Sequence, residues 1–198
     1  MSIQLNNSSR SAQFEWITPQ GLIANAVNVM GGIDLDPASS KFANEYVGAD
    51  NFFTPSDDPL NSAKWFGNVY LFPPSNTYFW HAKTMRWKAT RGLSKTLTSG
   101  MALWWRTLKR KWMQGEVRQA IYFTNQADMI MYCQDIFDHP VCIFNSRPFL
   151  TRHYFVDDAI ENKSTGTSLV VYLHPKENIE ESTELFVETY KERGRILL

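Results

Sequence analysis

The run WFGNVYLF, residues 65 to 72, closes on two consecutive prolines, Pro73 and Pro74. Eight mostly apolar residues make a strand buried on both faces, and a diproline that cannot donate to a strand ladder ends it there. A strand apolar on both faces needs cover on both sides, which restricts the chain to folds in which helices flank a sheet. The segment SLVVYL, 168 to 173, repeats the pattern, and VRQAIYF, 117 to 123, and PVCIF, 140 to 144, add further strands. In IDLDPASS, 33 to 40, Ile33 and Leu35 alternate with acids until Pro37 breaks the strand.

Helical patterns fall between these strands. Thr18-Pro19 predicts a helix start, with a hydroxyl N-cap and proline at the first helical position. Leu22, Ile23, Ala26, Val27 and Met30 then share one face, and Gly31-Gly32 ends the helix. Residues 77 to 90, residues 99 to 113 with Leu103, Trp104, Leu108 and Trp112 at helical spacing, and QADMIMYCQDIF, 126 to 137, also read as helices. The amphipathic close carries Leu185, Phe186, Thr189 and Tyr190. Strands alternating with helices predict an α/β sheet covered on both faces.

With 198 residues, 43% of them hydrophobic, the chain is able to bury one full core, and residues 14 to 198 are predicted to form one domain behind a fraying polar tail, residues 1 to 13. Cys133 and Cys142 form no CxxC pair and have no histidine at metal-ligand spacing, so neither a disulfide framework nor a metal site is expected, and a reducing intracellular setting is. The polar start lacks the apolar core of a secretory signal, and no apolar run is long enough to span a bilayer. A soluble, cytoplasmic protein without membrane contact is therefore predicted.

Four motifs carry the functional reading. They are Glu15-Trp16-Ile17-Thr18-Pro19, Asp34-Leu35-Asp36-Pro37-Ala38-Ser39, Asp58-Pro59-Leu60 and Phe72-Pro73-Pro74-Ser75, followed by HPVCIFNSRPF with Arg147 and by GTSLVVYL. In this order the chain, over roughly residues 14 to 174, resembles the phage-type, Dam-like DNA N6-adenine methyltransferases. These have a Trp-x-Thr-Pro element, a Leu-Asp-x-Ala strand end, an Asp-x-Leu loop and an Asn-Pro-Pro-Tyr loop.

The resemblance implies a Rossmann-like fold with a mostly parallel sheet, an antiparallel C-terminal strand and helices on both faces. S-adenosylmethionine would bind at the carboxyl ends of the strands. By position, Thr18 and Pro19 would flank the cofactor's methionine part, Asp36, Pro37, Ala38 and Ser39 would form the turn beneath it, and Asp58 would approach its adenine. Each residue also has a local explanation, as a helix start, a turn acid or a loop acid. The glycine-rich loop of larger methyltransferases is missing.

The catalytic loop departs from the family's pattern. Transfer to adenine N6 requires the base flipped out and its amino group held by acceptors, because that nitrogen's lone pair is delocalised into the ring. Pro73 and Pro74 still present a backbone carbonyl, but Phe72 cannot accept a hydrogen bond and Ser75 cannot stack on a base. Losing one preorganised polar contact costs roughly 100-fold to 1,000-fold in rate, and losing the stacking ring costs about 1–3 kcal/mol of base binding. The expectation is a homologue whose activity is reduced or lost, with Asn76, Tyr78 and Phe79 close enough in sequence to offer substitutes. The loop also has a plain reading, in which the diproline ends a strand and Phe72 is core.

Formal net charge is zero, yet residues 83 to 118 hold ten Lys or Arg against Glu116 alone, and five of the seven tryptophans, Trp80, Trp87, Trp104, Trp105 and Trp112, fall in or just before this stretch. Arg86, Lys88, Arg91, Arg106, Lys109, Arg110 and Lys111 are candidate phosphate contacts for DNA. A competing reading makes Trp104, Leu108 and Trp112 a core face or the contact surface for a protein partner, with the cations as the solvated side.

Overall fold

The computed structural model describes residues 14–198 apart from 75–76, 91–97, 155–158 and 165. The polar tail, Ser75, Asn76, Arg91 and Lys95 lie outside the described residues. The chain runs β1 (Phe14–Ile17), α1 (Gln20–Met30), β2 (Leu35–Asp36), α2 (Lys41–Val47), β3 (Asn51–Phe52), β4 (Gly67–Leu71), β5 (Thr77–His81), β6 (Arg86–Thr90), β7 (Thr98–Ser99) and α3 (Gly100–Met113). It continues β8 (Val117–Thr124), β9 (Val141–Phe144), β10 (Phe149–Tyr154), β11 (Ala159–Ser164), β12 (Leu169–Leu173), α4 (Ile179–Tyr190) and β13 (Gly194–Leu197).

A seven-stranded mixed sheet in the order β13-β9-β12-β8-β4-β2-β3 carries the fold. The strands β3, β2, β4 and β8 are mutually parallel. β12 lies antiparallel between β8 and β9, and β13 runs antiparallel to β9 at the edge. Two strands thus run against the rest, where one antiparallel strand was expected. The pleat separates two apolar layers. Val69, Leu71, Ala120, Tyr122, Leu169 and Val171 pack beneath Trp104, Trp105 and Leu108 of α3. On the opposite face Tyr70, Ile121, Phe123 and Tyr172 meet Leu22, Ile23 and Ala26 of α1 and Phe186 and Tyr190 of α4.

Four local expectations are corrected. Residues 77 to 90 form the antiparallel β5–β6 hairpin and not a helix. Their aromatic and β-branched residues suit a pleated surface, and the turn closes through the Thr84 N–H to the His81 carbonyl with Met85 at φ +50°. Residues 126 to 137 form two short 3₁₀ turns, Ala127–Met131 and Gln134–Asp138. At the first helix the N-cap is Pro19 and the helix begins at Gln20, so Thr18 does not cap it; Gly31 does end it, in the left-handed conformation. Val27, placed on the buried face by periodicity, is exposed, and Val29 is buried in its stead.

Small sheets lie outside the large one: β1-β10-β11 and β6-β5-β7. No helix among the described residues is long and apolar enough to cross a membrane, and none of their His, Cys, Asp and Glu side chains group to hold a metal ion.

His139 follows the second 3₁₀ turn and is 7% exposed, edge-on to Trp105 and Trp112 at 5.8 and 5.3 Å, with no hydrogen-bond partner for Nε2. Burial, reinforced by the neighbouring Lys109 and His174, holds its imidazole down to about 4. In the unfolded chain the group titrates near 6.5, so acid favours unfolding. The stabilisation is complete above about pH 6.5 and is lost as pH falls through about 4. Urea unfolding across that window is expected to show about 2–3 kcal/mol of acid destabilisation from this residue. His139→Phe should flatten the slope; an unchanged slope would assign it to other groups.

Candidate functional site

The carboxyl ends of β2 and β4 open on the same side of the sheet because the two strands are parallel neighbours, Leu35 opposite Val69. Beyond β2 the chain turns tightly. The Asp36 carboxylate accepts from the Ala38 N–H at 3.1 Å, and the Ser39 N–H donates to the Phe53 carbonyl at 2.9 Å. The Ser40 hydroxyl then caps α2 by accepting from the Ala43 N–H. This short-range bonding is the reason Asp, Pro and Ser follow one another at a strand end.

Beyond β4 the chain crosses the prolines. Pro73 is buried, while Pro74 is exposed and faces the turn at Pro37 across a cleft of about 360 Å³. A volume of this order suits a small organic ligand. Ala38, Phe53, Tyr78, Trp87 and Trp104 make its walls largely apolar. Tyr78 and Trp104 are buried and joined by the indole N–H, which donates to the Tyr78 hydroxyl at 3.2 Å.

The loop after β3 lines the same cleft. Asp58, at φ +52°, accepts from the Asn61 amide and the Ser62 hydroxyl and pairs with Arg86 of β6 at 2.9 Å. Asn61 reads the hairpin backbone in both directions: its carbonyl accepts from the Trp87 N–H at 2.8 Å and its amide donates to the Trp87 carbonyl at 3.2 Å. The Trp65 indole pins the same loop from below by donating to the Pro59 carbonyl at 3.0 Å.

Of the residues singled out in the sequence, Pro37, Ala38, Ser39, Asp58 and Pro74 line this one cleft. Asp36 is buried beneath its turn, 5% exposed. Thr18 and Pro19 do not line the cleft. Thr18 is buried near the Tyr70 hydroxyl, whose pKa is raised by burial and by the nearby Asp36 carboxylate; Thr18 works the other way, but no well-aligned hydrogen bond closes on that phenol. Phe72 points to the opposite face, its ring 4.9 Å from that of Phe123 and packed against the α1–α4 layer. Tyr78 alone of the proposed substitutes for the lost stacking ring has a described side chain, and it lines the cleft.

Three of the described candidate cations are paired with acids. Lys109 pairs with Asp135 at 2.8 Å, and Lys111 is buried, paired with Glu116 at 2.9 Å and set over the Trp65 ring. Arg86 is held by Asp58, so a residue assigned to the cofactor and one assigned to DNA neutralise each other. Lys88, Arg106 and Arg110 remain exposed. Trp104 and Leu108 are core, as the competing reading had it, and Trp112 is half-buried against them; Trp105, which that reading did not include, is core as well. What the sequence did not disclose is the pairing of Asn61 with Trp87, residues 26 positions apart with no shared motif.

Comparison of the chain with protein-family models, with curated proteins and with solved structures finds no match.

Proposed function

We propose that this chain is a homologue of the DNA adenine-N6 methyltransferases that binds S-adenosylmethionine and has lost adenine methylation. The observation carrying this reading is the pairing of a nucleotide-sized cleft at the ends of β2 and β4 with a Phe72 ring turned away from it. The four parallel strands followed by β12, reversed between β8 and β9, support a Rossmann-like methyltransferase sheet, in which ligands sit at the carboxyl ends of the strands.

The residues present fit the cofactor's adenosine half. A purine has flat apolar surface in Phe53 and Trp87, and the polar Ser39, Thr54 and Asn61 border the same space. When bound, S-adenosylmethionine supplies an electrophilic sulfonium methyl group. Position 72 does not hold an acceptor for an adenine amino group, since its side chain is hydrocarbon and packed on Phe123. The loop therefore keeps the shape set by its prolines without the contact that makes the amino nitrogen reactive.

Calorimetry with S-adenosylmethionine is expected to show binding, and labelled-methyl assays on unmethylated DNA are expected to show no transfer. No heat at millimolar ligand would dismiss the cofactor reading. Efficient methylation by the unaltered chain would dismiss the loss of activity. Phe72→Asn combined with Ser75→Tyr should gain measurable transfer only if the side chain at 72 also turns into the cleft, away from Phe123.

A further inference from the structure

A second cavity, of about 370 Å³, lies beyond the Leu60, Asn61 and Trp87 partition that it shares with the first. Its floor is apolar: Leu60 and Leu103 are buried, the Trp87 indole is half-buried, and Met85 stands 67% exposed at the rim. The other wall belongs to α3, where Leu103, Arg106, Thr107 and Arg110 follow at helical i, i+3, i+4 and i+7 spacing and so face one opening.

The polar groups of that wall are unequal. The Thr107 hydroxyl is committed to the Leu103 carbonyl at 2.9 Å. Arg106 donates from Nη2 to the Tyr132 carbonyl at 3.0 Å and lies beside the Cys133 thiol, contacts that steady a guanidinium with five N–H groups in all. Arg110 is exposed and has no ion pair among the described residues. Lys109 and Lys111 are matched by Asp135 and Glu116, so the unbalanced positive charge of α3 is concentrated in the two arginines at this cavity.

Flat apolar surface beside two guanidiniums is the chemistry that receives a base and its phosphate. The indole and thioether take the ring, and the planar guanidinium takes the phosphate oxygens in pairs. We infer that this cavity is a separate binding site for a phosphorylated nucleoside, supplied as a free nucleoside monophosphate or as one unit of a single strand. The inference goes beyond the cofactor cleft and does not depend on it, since Arg106 and Arg110 do not line that cleft.

The test is calorimetric titration of the full chain with thymidine, thymidine 5′-monophosphate and a thymidine hexanucleotide. The same titrations are run on Arg106→Gln/Arg110→Gln and on Arg110→Gln alone, whose side chain makes no ion pair in the described structure. Binding of the monophosphate identifies a free nucleotide as ligand, and binding of the hexanucleotide alone identifies a strand. In either case the double variant should bind roughly 10-fold to 100-fold more weakly, the single variant should fall between, and thymidine should bind at least about 10-fold more weakly than its monophosphate. Absence of binding by both phosphorylated probes overturns the site. So does equal affinity for thymidine and its monophosphate, or binding that survives the double substitution in a variant whose circular dichroism is unchanged. S-adenosylmethionine titrations of the double variant should match the unaltered chain, so that failure here is separable from failure of the cofactor reading.

Discussion

Gly67→Ala is expected to destabilise the fold by about 2–5 kcal/mol in urea unfolding, from left-handed backbone strain plus overpacking. Gly67 opens β4 at φ +64°, where a side chain is strained, and an added Cβ would run into the Asp34 carboxylate and lie 2.7 Å from the Asp34 Cβ. Asp34 has little freedom to withdraw. Its carboxylate accepts from the Asn68 N–H at 2.6 Å, and its own N–H donates to the Asn68 carbonyl at 2.9 Å.

The disturbance would spread along a polar chain at this end of the sheet. The Asn68 amide and the Gln119 amide both donate to the Met30 carbonyl, and the Tyr172 hydroxyl donates to Gln119 at 2.7 Å. Buried networks of this kind are costly to leave half satisfied. Because the clash and the Asp34 bonds share one carboxylate, Gly67→Ala and Asp34→Ala should be non-additive, the double variant losing less than the sum. A loss under about 0.5 kcal/mol for Gly67→Ala, the range of neutral surface changes, would show that the loop rearranges freely.

Trp105→Ala is the second large effect, with an expected loss of about 3–5 kcal/mol from the cavity it leaves. The side chain is fully buried, edge-on to Tyr122 at 5.5 Å, and its indole N–H donates to the Asp135 carboxylate at 3.1 Å. Asp135 is also bound by Lys109, and hydrogen bonds from Lys109 and from Trp105 hold its carboxyl below the usual range against the opposing effect of burial. Trp105→Phe keeps the ring packing and removes only the donor, for about 1–2 kcal/mol. The pair of variants distinguishes a core tryptophan from one that stacks on a ligand: the latter would leave stability unchanged and weaken binding instead.

The strands most legible in the sequence were those buried on both faces. VYL and LVVYL are apolar at consecutive positions, and only a sheet covered twice accepts that. The hairpin at 77 to 90 was illegible by the same logic. Its aromatics lie at spacings that a helix would also satisfy, and pairing with β7 and the docking of Trp87 on Asn61 decided for strand. Around the site, Asp36 through Ser39 and Pro74 were readable because local turn chemistry places them at strand ends. The division of labour among the cations was not. Lys109 and Arg110 are adjacent and chemically alike in the sequence; Asp135, brought to Lys109 across the fold, neutralises one and leaves the other.

By itself the sequence determined where strands end, which residues form the turns at those ends, and that the side chain at position 72 has no hydrogen-bonding atom. These follow from the chemistry of residues adjacent in the chain. Only the tertiary structure decided that Phe72 packs away from the cleft, that Asp58 meets Arg86, and that two arginines share an apolar cavity with Trp87. Each depends on groups far apart in sequence, and their meeting is set by sheet order and by the side from which each helix packs, which local propensity does not encode.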